Sequence, residues 1–346
     1  MPFFSTKVPQ DYKEAERLDK YIASVKSELN RSKLKAGLLS IQINGKKAKL
    51  SSKINANDEI ILEWEDNIPQ DIKAEDIPLD IIYEDENVTV INKKQGMVTH
   101  PAAGNWEGTL VNALLYHWGK QTIVRDTEKD VQSQMNLFRP GIVHRLDKDT
   151  SGVIITARNR NAEEFLIKSF KNHSTISKIY IAICKGHPKQ SEGIIRTYIR
   201  RDMHDRKKFA VCEENQGGKL AISKYKVVAN YGPYSLIKVK IFTGRTHQIR
   251  VHLKSIGCPI LGDPIYSKTD KNSIFYGASL MLHAYKLKLR LPDSAKQYTE
   301  FKAKVPVRFK KVIKTLHDKF GIPQNVADNM QKVKELKGLK ESENVR

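Results

Sequence analysis

Twelve consecutive residues, Gly141-Ile-Val-His-Arg-Leu-Asp-Lys-Asp-Thr-Ser-Gly152, constrain this chain more than any other stretch. Asp, Thr, Ser and Gly mark the segment as a turn, and it feeds directly into Val153-Ile-Ile-Thr-Ala157, a short apolar run that reads as a buried strand. One carboxylate, Asp147, is thereby set at the entrance to a core strand, between Arg145 and Lys148 in sequence. A guanidinium within a few ångströms would hold such a carboxylate ionised even where it is partly desolvated. By spacing alone, Asp147 and Asp149 read as residues that cap the turn.

The charge balance narrows the partner. Among 346 residues, 60 Lys and Arg against 39 Asp and Glu leave a net charge of +21, which draws a polyanion. No apolar run is long enough to span a bilayer and no basic amphipathic helix is long enough to lie on one, so nucleic acid is the expected partner and a membrane is not. The amino terminus, Met1-Pro-Phe-Phe-Ser-Thr-Lys, lacks the charged and apolar regions of a secretory signal, so a cytoplasmic location is expected. Cys184, Cys212 and Cys258 are far apart and in no Cys-x-x-Cys pair, which argues against a disulfide framework or structural zinc. Histidines 144, 247, 252 and 283 follow no metal-binding spacing, and no phosphate loop, dinucleotide fingerprint or Gly-x-Ser-x-Gly elbow is present, so no cofactor or metal is expected.

The pattern divides the chain into a small module at 1–66, a polar linker at 67–77, a larger domain at 78–322 and a polar tail at 323–346 that reads as a frayed helix or as disordered. In the first module a helix starts near Arg17-Leu-Asp-Lys-Tyr-Ile-Ala23, a second runs over Asn30–Gly37, and Ser40-Ile-Gln-Ile-Asn-Gly-Lys46 turns at Asn44-Gly45. The larger domain opens with strand, acidic turn and strand over residues 78–92, and Thr109 caps a core-facing helix. Asn161–Lys171 forms another helix with Phe165, Leu166 and Phe170 on one side, and Gln121–Asn136 reads as a loop that could reach substrate. Strand-period runs at Ser177–Ile183 and Ser235–Phe242 among these helices indicate an α+β fold with a mixed, mainly antiparallel sheet.

Several segments resemble one family. Arg139-Pro-Gly-Ile-Val-His-Arg-Leu-Asp147 with Ser151-Gly152 resembles the His-Arg-Leu-Asp motif of the RluA-type pseudouridine synthases. Lys178-Ile-Tyr180 is similar to that family's Lys-x-Tyr motif, and Gly244-Arg-Thr-His-Gln-Ile-Arg250 and Met281-Leu-His-Ala-Tyr285 are similar to two further family segments. The opening at Asn92-Lys-Lys-Gln-Gly96 departs from the family's Pro-Ala-Gly continuation, because Lys94 and Gln95 stand in place of Pro-Ala; a looser, more charged turn is expected there. The amino-terminal module resembles the S-four type RNA-binding domain, named for a small-subunit ribosomal protein, with Arg31, Lys33, Lys35, Lys46 and Lys47 at its RNA-facing places. The resemblance covers nearly everything from Arg17 to Val307.

The resemblance implies an isomerase that converts uridine in structured RNA to pseudouridine without a cofactor. It implies Asp147 as the catalytic carboxylate, Arg245 as its cationic partner, and Tyr180 beneath the flipped base, stacking and assisting proton removal. Arg145 would fill the vacated space in the RNA, with His144 and Leu282 against the base. The appended module points to large-subunit ribosomal RNA, free or in an assembling subunit, with the chain acting as a monomer. Transfer RNA as substrate, a non-catalytic RNA-binding or ribosome-assembly factor on the same scaffold, and a histidine-based metallohydrolase are the alternatives.

Overall fold

The computed structural model describes all residues except 1–2, 13–15, 27–33, 35–37, 65–70, 103, 120–121, 125–139, 173–174, 269–270, 293–296 and 329–346. The chain forms two compact units. The first comprises Met1–Lys73, Ala102–Trp106 and Thr122–Phe138. Strands β1 (Phe3–Lys7), β2 (Leu38–Ile43), β3 (Lys46–Lys47) and β4 (Glu59–Trp64) make an antiparallel sheet in the order β1-β4-β2-β3. Helix α1 (Leu18–Val25) contributes Leu18, Tyr21 and Ile22 to a core shared with Ile41, Ile54, Ile60 and Leu62. The β2–β3 turn is Asn44-Gly45, both at positive φ (50° and 73°), which is the left-handed pair that a two-residue hairpin requires. Lys46 and Lys47 follow it and are exposed. The second helix expected at Asn30–Gly37, with Arg31, Lys33 and Lys35, lies outside the described residues apart from the buried, helical Leu34.

Two expectations of irregular chain are corrected. Residues Asp71–Lys73, read as part of a linker, form β5, and Thr122–Val124, read as part of a loop, form β8; the two pair antiparallel. Each is only three residues long, too short for periodicity to reveal, and the pairing itself supplies the order.

The second unit comprises Ala74–Pro101, Glu107–Gln121 and Arg139–Arg346. Its strands are β6 (Ile81–Glu84), β7 (Val88–Lys93), β9 (Ser151–Ala157), β10 (Ser177–Lys185), β11 (Glu192–Arg201), β12 (Phe209–Cys212), β13 (Lys219–Tyr231), β14 (Tyr234–Ile241), β15 (Leu282–Arg290) and β16 (Tyr298–Lys302). They form one sheet in the order β12-β11-β13-β14-β10-β15-β9-β7-β6, with β16 paired to β15. Every pairing is antiparallel except β9 with β15, so the sheet is mixed and mainly antiparallel, as the sequence pattern indicates. The helices are α2 (Leu110–His117), α3 (Arg160–Lys171), α4 (Gln248–Ser255) and α5 (Val307–Phe320). Thr109 caps α2 through a box with Asn112, and Asn159 caps α3 by accepting from Ala162 N–H. All seven residues of β9 are buried, so the run at 153–157 is the core strand that its composition predicts.

At the start of the tail, residues 324–328 are helical, Asn325 Nδ2 donates to Val228 O (2.7 Å), and Val326 packs on the main core.

Candidate active site

The parallel pairing of β9 with β15 is short, His283 with Ser151 and Ala284 with Gly152, and the turn carrying Asp147 enters the sheet at this point. Glycine is required at both ends of that turn. Gly141 has φ +70° and a Cβ there would meet Ala157 O at 2.1 Å; Gly152 has φ +119° and a Cβ would meet Ala284 O at 2.2 Å. The next strand over, β10, places Tyr180 opposite Ala284, and Leu282 begins β15. Asp147, Tyr180 and Leu282 thus come from three neighbouring structural positions and line one cavity of about 290 Å³, together with His144, Arg145 and Arg245. That volume sits at the small end of ligand pockets, about 300–1,000 Å³, and suits one flat ring better than a large ligand.

The turn is clamped from the β7 side. Lys93 is 1% exposed, and its ammonium donates to the carbonyls of Lys94 (3.0 Å), Met97 (2.8 Å) and Lys148 (3.2 Å). Burial pushes Lys93 down to about 7, against the attraction of Asp147 and Asp149. Gly96 N–H and Thr99 Oγ1 donate to Lys148 O and Leu146 O as well. The Lys94-Gln95 departure is no loosening: Gln95 Nε2 donates to Leu280 O (3.3 Å) and its Oε1 accepts from Ser279 (3.0 Å), tying the turn to the segment before β15.

The cation beside Asp147 is Arg250, which corrects the expected pairing with Arg245. Arg250 Nη1 lies 3.7 Å from Asp147 Oδ2, and the same guanidinium binds Asp263 bidentately at 2.7 and 2.8 Å. Arg250 is buried and Asp263 is 2% exposed. Burial opposes the charge on Arg250, but its bonds to Asp263 and the fields of Asp263 and Asp147 outweigh this and raise its pKa. Burial likewise works against ionised Asp263, and Arg250 overrides it, leaving the carboxyl below its ordinary range. The exchange of arginines has a backbone cause. His247 adopts a left-handed conformation (φ 57°) immediately before α4, and Gln248 Oε1 closes the turn by accepting from Thr243 Oγ1 and Arg245 N–H. Helix α4 then points Arg250 inward. Arg245 is left on the approach, its Nε donating to Leu220 O (3.0 Å).

His247 Nε2 stands 4.0 Å from Asp147 Oδ2, and its Nδ1 is 2.9 Å from the Tyr266 hydroxyl, which accepts from Phe209 N–H at 2.8 Å. Burial lowers the His247 pKa in spite of Asp147. A neutral ring that accepts the Tyr266 proton at Nδ1 carries its own at Nε2, facing the carboxylate. Tyr180 is 8% exposed, and burial with the Asp147 charge pushes its phenol far above the ordinary range. It turns a ring face and a hydroxyl toward the cavity.

The opposite wall is cationic and aromatic. His144 Nε2 accepts from Ile155 N–H (3.0 Å), its ring stacks on Phe170 (4.4 Å, 17°), and burial with nearby Lys178 pushes it down to about 3. Lys178 is lowered to about 8 by burial and by Arg245. Arg145 is exposed at the rim. Sequence reasoning passed over Arg250, Asp263, His247, Tyr266 and Lys178 as site residues. Two arginines in one motif were the signal for Arg250, but nothing in their spacing says which one faces the carboxylate.

The RNA pseudouridylate synthase family model matches residues 87–255, a span that contains the Asp147 turn, Tyr180 and Arg250. Among curated proteins, the chain is similar to a ribosomal large subunit pseudouridine synthase D of Borreliella burgdorferi, at 42% identity over 299 residues that cover 85% of this chain and 87% of that one. It is 41% identical to an uncharacterized RNA pseudouridine synthase of Aquifex aeolicus over 317 residues, covering 88% and 95%. Among solved structures, Human RNA Pseudouridylate Synthase Domain Containing 4 matches with a TM-score of 0.53 at 24% identity, covering 68% of this chain and 92% of that one, a likeness of fold.

Proposed function

This chain belongs to the RNA pseudouridine synthases, and from that premise we propose that it isomerises uridines of large-subunit ribosomal RNA in the cytoplasm, with Asp147 as the catalytic carboxylate. The observation that carries the reading is the Asp263–Arg250–Asp147 arrangement at a ring-sized cavity. The ribosomal target is supported by the 42% identity to a protein named for the large subunit.

In the reaction the bond between uracil N1 and the ribose anomeric carbon breaks, the base turns, and C5 bonds to that carbon; C5 loses a proton and N1 gains one. As the first bond breaks the sugar becomes electron-poor, and a fixed carboxylate beside it stabilises that charge. Arg250 fixes a positive charge 3.7 Å from Asp147 Oδ2, while the bidentate bond to Asp263 keeps the guanidinium from swinging fully onto Asp147 and quenching it. Tyr180 and Leu282 bracket the base, with Tyr180 stacking on it and placed to assist proton removal. His247 supplies a second weak contact to Asp147 Oδ2.

The target base must leave the RNA helix first, at a cost of a few kcal/mol. Exposed Arg145 at the rim suits the role of filling the vacated space. His144 presents a neutral ring against the cavity. In the amino-terminal unit, exposed Lys46 and Lys47 suit phosphate contact, and we extend the same role to Arg31, Lys33 and Lys35.

The test compares pseudouridine maps of ribosomal and transfer RNA from strains carrying the wild-type gene, Asp147→Asn or no gene. Specific large-subunit sites should vanish in the last two, and purified Asp147→Asn should lose turnover by at least ~10³-fold while still binding RNA. Unchanged maps would refute the enzyme reading, and loss confined to transfer RNA would refute the ribosomal target.

A further inference from the structure

A second concavity of about 360 Å³ adjoins the active-site cavity, and Gly244, Arg245 and Thr246 line both. Its other walls carry Arg200, Arg201, Phe209 and Lys219, from the ends of β11, β12 and β13. Lys219 pairs in register with Ile199, so its side chain shares the sheet face of Arg201, two residues along β11, and Arg201 pairs with Phe209 on that same face.

The way these cations are held is informative. Arg200 Nη1 donates to Gln216 O (3.0 Å), Arg201 donates to Arg206 O and lies over the Phe209 ring (5.0 Å), and Arg245 Nε donates to Leu220 O (3.0 Å). Each guanidinium is oriented by a main-chain carbonyl, and among the described residues none of the three has a carboxylate within ion-pair distance. A carbonyl fixes geometry without neutralising charge, whereas a carboxylate would do both. The acids nearby are committed elsewhere: Asp202 accepts from the His204 and Asp205 N–H groups, Asp205 pairs with Lys208 (3.2 Å), and Glu214 accepts from the Tyr198 hydroxyl. The field reaches the catalytic cavity as well, where burial first and Arg245 second depress the Lys178 ammonium. Uncompensated, pre-oriented guanidinium groups in a hollow are a binding site for phosphate oxygens.

We propose that this hollow holds the backbone phosphates of the nucleotides on one side of the flipped uridine, with Arg245 at the junction between base site and phosphate site. The inference rests on the RNA-modifying function above and assigns a subsite to it. Contacts of this kind fix register without reading sequence. The hollow would hold the strand so that only one nucleotide reaches Asp147.

The experiment uses the full-length protein and deproteinised total RNA from a strain lacking the gene, measuring initial rates of pseudouridine formation against RNA concentration at several KCl concentrations. Replacing Arg200 and Lys219 together by Gln removes two charges. KM should rise roughly tenfold, with the loss lying in KM and not in kcat, and the slope of log binding against log salt should shrink by ~1.4, taking about 0.7 per phosphate contact on single-stranded RNA. The charge-keeping swap Arg200→Lys with Lys219→Arg should retain the wild-type slope. A control pair, Lys311→Gln with Lys314→Gln on the exposed face of α5, should leave KM within about twofold. An unchanged slope in the Gln pair, or an equal loss in the control, would overturn the subsite. A wild-type protein that forms no pseudouridine on this RNA, nor on immature large subunits from the same strain, would overturn the functional reading and the subsite with it.

Discussion

At Asp147, a single carboxylate faces the cavity, and its neighbour Arg250 holds a positive charge 3.7 Å from it. Arg250 binds Asp263 through two parallel bonds and reaches Asp147 with a third nitrogen, a geometry that a lysine ammonium cannot reproduce. Arg250→Lys should therefore lower kcat by ~10–100-fold with RNA affinity retained, while Arg245→Lys should act mainly on KM. Single-turnover rates with titrated RNA separate the two, and the reverse order would mean that Arg245 is the partner of Asp147 after all. Arg250→Ala should also cost about 3–5 kcal/mol of stability, because Asp263 would be left buried and unpaired; urea unfolding reads that loss. The carboxylate was singled out in the sequence by its motif, since its turn alone reads as a cap. Its partner was not, since Arg245 and Arg250 differ only in which side of a left-handed His247 they fall on.

The element that positions the site is the short parallel pairing of β9 with β15, and it depends on Gly152. With φ at +119° and Ala284 O in the space of a Cβ, Gly152→Ala should cost about 2–4 kcal/mol, combining overpacking with backbone strain. Gly257 shares a positive φ but has open space around it, so Gly257→Ala should cost only about 1 kcal/mol. Thermal unfolding compares them. The turnover of folded Gly152→Ala should fall as well, because the displaced strand carries the Asp147 turn with it. Most strands and capped helices of the second unit follow from period and caps, as at β9, β10 and α2. The three-residue strands β5 and β8 do not, because neither is stable or recognisable until its partner is present.

Across the second unit, three buried imidazoles are held neutral: His144 at about 3, and His252 and His283 at about 4, each lowered chiefly by burial. All three folded values lie below the ordinary histidine range, so the unfolded chain takes up protons first as pH falls. The stability they contribute is fully present above about pH 6.5 and is lost progressively as pH falls towards 4. Each contributes a slope of up to ~1.4 kcal/mol per pH unit in that window. Urea unfolding of the wild type at pH 7, 6 and 5 should show this loss, and His252→Gln should flatten it by about one proton; a pH-independent midpoint would contradict it. At the same scale, the charge of +21 is not spread evenly in its effect, because some arginines are paired with buried acids while those beside the active site are not.

The sequence alone determined that this is an α+β enzyme of one recognisable family, because turn chemistry, strand period and motif residues are local properties that survive without a fold. The motifs at Asp147, Tyr180 and Leu282 were readable in the same way. Only the tertiary structure decided which arginine meets Asp147, that Lys93 and Gln95 brace the turn carrying it, and that Arg200, Arg201, Lys219 and Arg245 share a hollow. The physical reason is common to all three. Burial, field and hydrogen-bond pairing depend on which distant segments are brought within a few ångströms, and the pairing of β9, β10 and β15 joins residues more than a hundred positions apart.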